Sequence, residues 1–165
     1  MQHVQTRSTT SALVLTAVLI ALATLFTMYT KIPVPGIRGY FNVGDVVIMT
    51  SALLLGRKYG AYIGAIGPAL ADLFLGYAVF VPITFVVKGI EGYLVGTVYN
   101  NKTTASALVA TIVGGIIIVA GYFIAEYFVF DPGVAIASIV TNIIQAVMSV
   151  IISMILYAIL RKRLG

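Results

Sequence analysis

The sequence predicts an all-α integral membrane protein with six transmembrane helices in a single domain, residues 1–165. Composition is the first observation behind this prediction: 61% of the residues are hydrophobic and only 9% are charged, whereas a soluble domain carries about 25% charged residues. The second is a series of apolar segments, most of them close to the roughly 20 residues that a spanning helix needs. The third is an uneven distribution of lysine and arginine between alternate loops.

Six apolar segments follow one another along the chain. They cover residues 11–29, 44–55, 59–77, 79–99, 105–128 and 134–160. The first is a retained helix rather than a signal peptide, because no small-residue cleavage site follows it. The second has only a dozen residues, so it is short, tilted or re-entrant. Asn42 is its predicted N-cap, and residues 31–43 before it are predicted to be a loop. The sixth is long enough to tilt or to protrude.

The positive charges orient this series of helices. With the N-terminus inside, seven lysine and arginine side chains fall on inner segments and two on outer loops. The inner residues are Arg7, Arg57, Lys58, Lys102, Arg161, Lys162 and Arg163, and the outer ones are Lys31 and Arg38. This positive-inside asymmetry predicts a multi-pass membrane protein with both termini in the cytoplasm. The net charge of +5 is therefore a topology signal, and we expect no nucleic-acid partner.

Charged side chains inside the predicted spans indicate a functional site. Asp72, Lys88 and Glu91 lie within apolar runs, and a charge in hydrocarbon costs at least about 2.5–3.5 kcal/mol on insertion scales. Thr84, Lys88 and Glu91 are spaced i, i+4, i+7 and share one helix face. In the predicted topology all the buried polar groups fall in the outer half of the membrane. We therefore expect a cavity that is open to the outside and closed within.

The candidate ligand-binding residues combine these charges with nearby aromatic and hydrogen-bonding side chains, the usual lining for a small planar ligand. They are Tyr40, Phe41, Asp45, Asp72, Tyr77, Thr84, Lys88, Glu91, Tyr122, Asn142 and Gln145. A purely structural interpretation stays open for several of them. Lys88 and Glu91 can pair with each other, with or without Asp72, and Asp45 can simply start a helix. Asn142 and Gln145 can hydrogen-bond between helices.

Further positions have a more ordinary interpretation. Glu126 is predicted to be interfacial. Glycine strips on the third and fourth helices, at residues 60–67 and 89–96, predict close packing between these two helices. Ala17 and Ala21 form a similar small-residue pair on the first helix, which is a weak signal when taken alone.

The sequence lacks the common catalytic and metal-binding patterns. It has no cysteine and a single histidine, His3, so we expect neither a disulfide nor a metal site, and no cofactor. There is no phosphate-binding loop of the Walker type, no G-x-S-x-G and no H-E-x-x-H. We therefore expect a protein that is not an enzyme and that does not itself use ATP.

The run from residue 40 to residue 96 resembles the substrate-binding S component of energy-coupling-factor (ECF) transporters. Its characteristic pieces are Gly44-Asp45, the ALADL of 69–73 and the KGIEG of 88–92. The resemblance is strongest to the branch for riboflavin-like, pyridoxine-like and thiamine-precursor compounds. It implies capture of a vitamin from outside beneath a lid formed by the first loop, where Tyr40 and Phe41 would lie. It also implies docking on a T component with two ATPases, followed by toppling in the membrane.

The resemblance assigns further roles to residues of this chain. Ala17 and Ala21 match the family's Ala-x-x-x-Ala, which contacts the T component. Asp72, Lys88 and Glu91 would line or support the pocket. No basic cluster directed at phosphate or folate is found, so we expect a small heterocycle that is uncharged or weakly cationic. Two other functions remain open: an autonomous transporter or channel, with polar groups through both membrane halves, and an intramembrane enzyme.

Overall fold

The computed structural model describes residues 9–33, 40–99 and 103–164, and the side chains of all of these except residues 9, 33, 40, 41 and 164. Six helices follow in chain order, with a short hairpin between the first two. They are α1 (Thr9–Tyr29), β1 (Ile32–Pro33), β2 (Tyr40–Phe41), α2 (Asp45–Leu55), α3 (Arg57–Phe74), α4 (Phe80–Val98), α5 (Thr104–Val129) and α6 (Pro132–Leu164). The six-helix prediction is confirmed, with boundaries within four residues of those expected.

The apolar surface of the bundle identifies a membrane protein. Within the described residues, four helices are long and apolar enough to cross a bilayer: α1, α4, α5 and α6. Large apolar side chains on their outer faces are exposed, among them Leu13, Val86, Ile116 and Ile155. Such a surface is stable only when lipid solvates it.

Helix α2 occupies the centre of the bundle. Its 11 residues extend about 16 Å, too short to cross a hydrocarbon core of about 30 Å. Every residue from Asp45 to Leu53 is buried, because α2 contacts all five other helices. The sequence left a short, a tilted or a re-entrant segment possible here. The structure has a short helix, and the N-terminus of this helix lies inside the protein.

The entry to α2 differs from the prediction in two respects. The loop predicted for residues 31–43 contains an antiparallel hairpin that pairs Ile32 with Phe41. The prediction that Asn42 is the N-cap is wrong, because the N-cap residue is Gly44. The Asn42 side chain instead accepts a hydrogen bond from the Gly44 backbone N–H at 2.9 Å, forming a local turn that precedes the helix.

Glycines bring α3 and α4 into backbone contact, as the sequence predicted. A Cβ placed on Gly60 would lie 2.5 Å from the carbonyl oxygen of Gly92, and one on Gly64 would lie 2.1 Å from that of Lys88. Neither position can hold a larger residue without moving a helix. Gly67 contacts α1 instead, where the Thr24 hydroxyl lies 2.9 Å from the Gly67 carbonyl oxygen. The contacts of Gly60 and Gly64 fix the α4 backbone, and with it Lys88, against α3.

An apolar cluster fills the half of the bundle that surrounds the C-terminal end of α2. Met49 and Leu53 pack there against Val95, Ile118 and other buried side chains. The basic residues at the start of α3 and in the last turn of α6 lie at this end, whereas the buried charged side chains lie at the other. The bundle is therefore polar inside at one end and closed by apolar packing at the other.

Candidate functional site

A polar cavity lies at the end of the bundle where α1, α3 and α5 end and α4 and α6 begin. Each helix contributes to it or to the charges beneath it. The lining residues are Thr27, Asn42, Pro68, Asp72, Phe80, Thr84, Lys88, Tyr122, Glu126, Ser138, Thr141, Asn142 and Gln145. The cavity volume is about 40 Å³, which is room for about three water molecules. A typical ligand pocket measures about 300–1,000 Å³, so this cavity must widen to admit a heterocycle.

Three charged side chains form the floor of the cavity. The Lys88 ammonium group on α4 donates a hydrogen bond to Asp45 Oδ1 on α2, and it lies 3.4 Å from Glu91 Oε2. None of the three side chains is more than 1% exposed. Because an isolated charge here would cost several kcal/mol, the two carboxylates stabilise the ammonium group in the apolar interior. Among them only Lys88 reaches the cavity surface.

Gln145 on α6 connects this charged group to the loop before α2. Its Nε2 donates a hydrogen bond to Asp45 Oδ2 at 2.7 Å, and its Oε1 accepts one from the Asn42 backbone N–H at 3.1 Å. One amide therefore holds together α2, α6 and the segment that follows the hairpin. A movement of this segment would change the environment of Asp45, and through it that of Lys88.

Tyr122 on α5 forms one wall of the cavity. Its hydroxyl group lies 3.0 Å from Thr84 Oγ1 on α4, and its ring centroid lies 5.3 Å from the Lys88 ammonium nitrogen. A cation at this distance from an aromatic face is attracted to the ring. The ring therefore gives the ammonium group a third favourable contact and presents a flat surface next to the cavity.

A hydroxyl oxygen and an amide nitrogen of the lining are buried without a hydrogen-bond partner among the described residues. They are Thr27 Oγ1 and Asn142 Nδ2, and the Thr27 side chain is only 1% exposed. A buried polar group without a partner costs about 1–3 kcal/mol. A hydroxyl group and an amide donor that face the same cavity are thus available to a ligand that can accept or donate hydrogen bonds.

The structure brings most of the predicted site residues together. Six of them line the cavity: Asp72, Thr84, Lys88, Tyr122, Asn142 and Gln145. Asp45 and Glu91 lie beneath it as the partners of Lys88. Tyr77 is not part of the lining; its ring packs against Phe80, which is. The side chains of Tyr40 and Phe41 lie outside the described residues. Ala17 and Ala21 are exposed on α1.

Sequence reasoning missed several lining residues. Thr27 was hidden at the end of an apolar helix, and Pro68 carries no chemical signal. The interfacial interpretation of Glu126 is wrong, because its side chain is only 4% exposed and lines the cavity. Its spacing of four residues from Tyr122 was the available signal, since residues at i and i+4 share a helix face.

A larger groove of about 630 Å³ lies between α5 and α6. Its lining is entirely apolar and includes Ile116, Phe123 and Ile143. A water-soluble ligand would find no hydrogen-bond partner there, so we regard the groove as part of the lipid-facing surface.

Comparison with known proteins identifies the family. The family model described as "ECF-type riboflavin transporter, S component" matches residues 7–162. The chain belongs to this family. The S component is a transporter subunit, and the family is not a family of enzymes.

Two relatives align with most of this chain. A Pyrococcus woesei protein described as "Uncharacterized protein in gap 3'region" is 41% identical over 143 residues, which cover 86% of this chain and 96% of that protein. The "Thiamine precursor transporter HmpT" of Lactococcus lactis subsp. cremoris (strain MG1363) is 30% identical over 149 residues, covering 89% and 83%.

One solved structure is described as "Structure and mechanism of the S component of a bacterial ECF transporter". It superposes with a TM-score of 0.77 at 21% identity and covers 94% of this S component and 98% of that chain. At this identity the likeness concerns the fold alone, and it confirms the six-helix arrangement.

Proposed function

We propose that this S component is the substrate-binding subunit of an ECF importer for a small water-soluble vitamin or vitamin precursor. The observation that carries the proposal is the polar cavity, which lies at one end of an otherwise apolar bundle and has unpartnered hydrogen-bonding atoms in its lining. A hydroxyl group, amides and an aromatic face around one hollow suit a small heterocycle with several hydrogen-bonding groups. The thiamine-precursor activity of HmpT points to the same chemical class.

The charge distribution supports capture from outside. Arg57 in the first turn of α3 and Arg161–Arg163 in the last turn of α6 are at the end opposite the cavity. Since lysine and arginine favour the cytoplasmic side, the cavity end faces outwards and both termini lie in the cytoplasm of a multi-pass plasma membrane protein.

The closed inner half supports delivery with partners rather than a channel. The apolar cluster around Met49 and Val95 lies between the charged floor of the cavity and the inner end of the bundle. A continuous pore would need polar groups or water along this path. We therefore propose that the loaded subunit docks on a T component with two ATPases and topples in the membrane to release its ligand inwards.

The first helix offers a surface for this docking. Ala17 and Ala21 are exposed one turn apart on α1, and small residues let a partner helix approach the backbone closely. Larger apolar side chains, Val14, Val18 and Leu25, are exposed on the same helix. Between these larger side chains, the Ala-x-x-x-Ala pair leaves a shallow groove on the helix surface. One transmembrane helix of the T component would pack into this groove.

Calorimetric titration of the purified protein in lipid nanodiscs tests the proposed function. The ligands are riboflavin, pyridoxine and hydroxymethylpyrimidine, an aminopyrimidine precursor of thiamine. We expect one of them to bind one to one with submicromolar affinity, and the Gln145→Ala variant to bind it at least tenfold more weakly. The proposal is wrong if none of the three binds, or if the variant and the wild type bind equally well.

A further inference from the structure

Glu126 lies in the wall of the cavity without a positive partner. Its carboxylate is on α5, is 4% exposed and belongs to the cavity lining. The Ser138 hydroxyl group on α6 donates a hydrogen bond to Glu126 Oε2. This hydrogen bond orients the carboxyl group of Glu126. Among the described residues no lysine or arginine lies within ion-pair distance of Glu126.

In the part of the chain that the structure describes, the ammonium group at the cavity is that of Lys88, and it already has two carboxylate partners. Lys88 lies between Asp45 and Glu91, and neither oxygen of the Glu91 carboxylate has a further hydrogen-bond partner among the described residues. The Lys88 ammonium group is therefore shared by the carboxylates of Asp45 and Glu91, and Glu126 does not take part in this ion pairing. Asp72 has an interaction of its own. A buried carboxylate without a positive partner is costly, and a cation bound beside it would reduce that cost.

We infer that Glu126, oriented by Ser138, is a specificity-determining residue that selects a ligand with a positively charged or protonated ring nitrogen. This inference rests on the proposed function and narrows its substrate class to cationic or protonatable aminoheterocycles. A charged N–H of the ligand would donate to the carboxylate, which is the stronger kind of hydrogen bond. Thr27 Oγ1 and Asn142 Nδ2, which have no hydrogen-bond partner among the described residues, would form hydrogen bonds with uncharged polar groups of the ring.

The residues around the cavity explain why Glu126, rather than another acid, has this role. Asp45 and Glu91 lie beneath the surface and bind Lys88. The α1 and α6 sides present neutral groups, such as Thr27, Ser138 and Thr141. Two acids line the cavity, Asp72 and Glu126. Of these, Glu126 has the orienting Ser138 hydroxyl group and, among the described residues, no cation within ion-pair distance.

A matched pair of ligands tests the inference. Hydroxymethylpyrimidine has an amino group and a ring nitrogen that accepts a proton; its analogue with a ring carbonyl in place of the amino group has the same size and stays neutral. Binding of both is measured by calorimetry in nanodiscs, at a mildly acidic pH where the first compound is protonated. The proteins compared are the wild type, Glu126→Gln, Ser138→Ala and the control Asp131→Asn. Asp131 is an exposed acid at the start of α6, so its variant removes one charge from the same end of the bundle outside the cavity.

We expect the wild type to prefer the protonated compound at least tenfold. Glu126→Gln should weaken its binding about 10- to 100-fold, as for loss of one hydrogen bond to a charged group, and change binding of the neutral analogue less than about threefold. Ser138→Ala should reduce the preference partly, and Asp131→Asn should not change it. Equal binding of both compounds by the wild type, or equal weakening of both in Glu126→Gln, overturns the inference and leaves the proposed function standing. If the wild type binds neither compound nor riboflavin nor pyridoxine, the proposed function fails and the inference fails with it.

Discussion

Lys88 on α4 and Asp45 in the first turn of α2 form an ion pair in which neither side chain is more than 1% exposed. Asp45 is the first residue of a helix whose N-terminus ends inside the bundle, and that terminus favours a negative charge. The pair therefore joins the central helix to the helix that carries the deepest charges of the cavity. In the proposed binding site, the geometry of this pair would determine where the Lys88 ammonium group contacts a ligand.

The two partners of this pair should not be equally sensitive to substitution. Lys88→Met leaves Asp45 and Glu91 facing each other without a cation, and we expect it to cost about 3–5 kcal/mol of stability. Asp45→Asn should cost less, because Lys88 keeps Glu91 at 3.4 Å. Thermal unfolding of the detergent-solubilised variants measures both. If Asp45→Asn proved as damaging as Lys88→Met, Glu91 would not share the ammonium group.

The double variant Lys88→Met/Asp45→Asn provides the control for this comparison. It removes one charge of each sign and leaves Glu91 as the remaining acid of the cavity floor. We expect it to be more stable than Lys88→Met alone, because two buried carboxylates no longer repel each other. A double variant less stable than Lys88→Met would show that charge repulsion is not the dominant effect.

Gln145 should control the loop that precedes α2. Replacing it with alanine removes the acceptor of the Asn42 backbone N–H and a donor to Asp45, at a cost of about 1–3 kcal/mol for the groups left unpaired. We expect faster hydrogen–deuterium exchange at the Asn42 amide, together with weaker ligand binding. Thr97→Ala is the control, because the Thr97 hydroxyl bonds only within its own helix. Unchanged exchange at Asn42 in Gln145→Ala would contradict the role of Gln145 as a tether.

Two glycines of α4, Gly92 and Gly89, should differ in how much stability the protein loses when each is replaced by alanine, because Gly92 lies closer to α3. In Gly92→Ala the new Cβ would lie 2.1 Å from the Gly60 carbonyl oxygen, whereas in Gly89→Ala its nearest neighbour is Ala65 Cβ at 3.2 Å. Overpacking of this kind costs about 1–3 kcal/mol, and we expect that loss for Gly92→Ala and a markedly smaller one for Gly89→Ala. Unfolding temperatures in the same detergent give the comparison. Equal values for the two variants would mean that the backbones are not in close contact at Gly92.

If α1 is the docking surface, substitutions there should lower transport without changing the affinity for the ligand. Ala17→Phe or Ala21→Phe adds bulk to an exposed face of α1 and touches no residue of the cavity. We expect normal ligand affinity but several-fold lower uptake by the reconstituted complex, because the partner helix can no longer approach. Ile155→Phe, at a half-exposed position on α6, is the control for added bulk in lipid. Normal uptake by both alanine variants would place the docking surface elsewhere.

The fold was largely predictable from the sequence because its signals are local. Each helix is an apolar run of the right length, and the glycine strips of α3 and α4 are visible as a repeat of small residues. The spacing of Lys88 and Glu91 likewise placed them on one helix face. The hairpin of residues 32–33 and 40–41 was not predicted, since strands of two residues leave no alternating pattern to recognise.

The candidate site was only partly predictable because its key contacts are not local. Asp45 is 43 positions from Lys88 and 100 from Gln145, so no spacing rule connects them. Sequence reasoning considered Asp72 as the possible further partner of Lys88. It named Asp45 as a candidate binding residue or a helix start, but not as a partner of Lys88. Only the buried N-terminus of the short α2 brings Asp45 to the ammonium group. Glu126 was misplaced because an acid one turn from the end of a helix is usually at the membrane interface.

Mass spectrometry of the small molecules that accompany the protein through purification in mild detergent would test whether the cavity is a ligand site. We predict that wild-type protein carries one heterocyclic vitamin or precursor in nearly stoichiometric amount, and that Gln145→Ala, purified from the same cells at the same yield, carries much less. Equal amounts in both proteins, or no bound heterocycle in the wild type even after growth with an excess of the candidate vitamins, would contradict a binding site between Lys88, Tyr122 and Gln145.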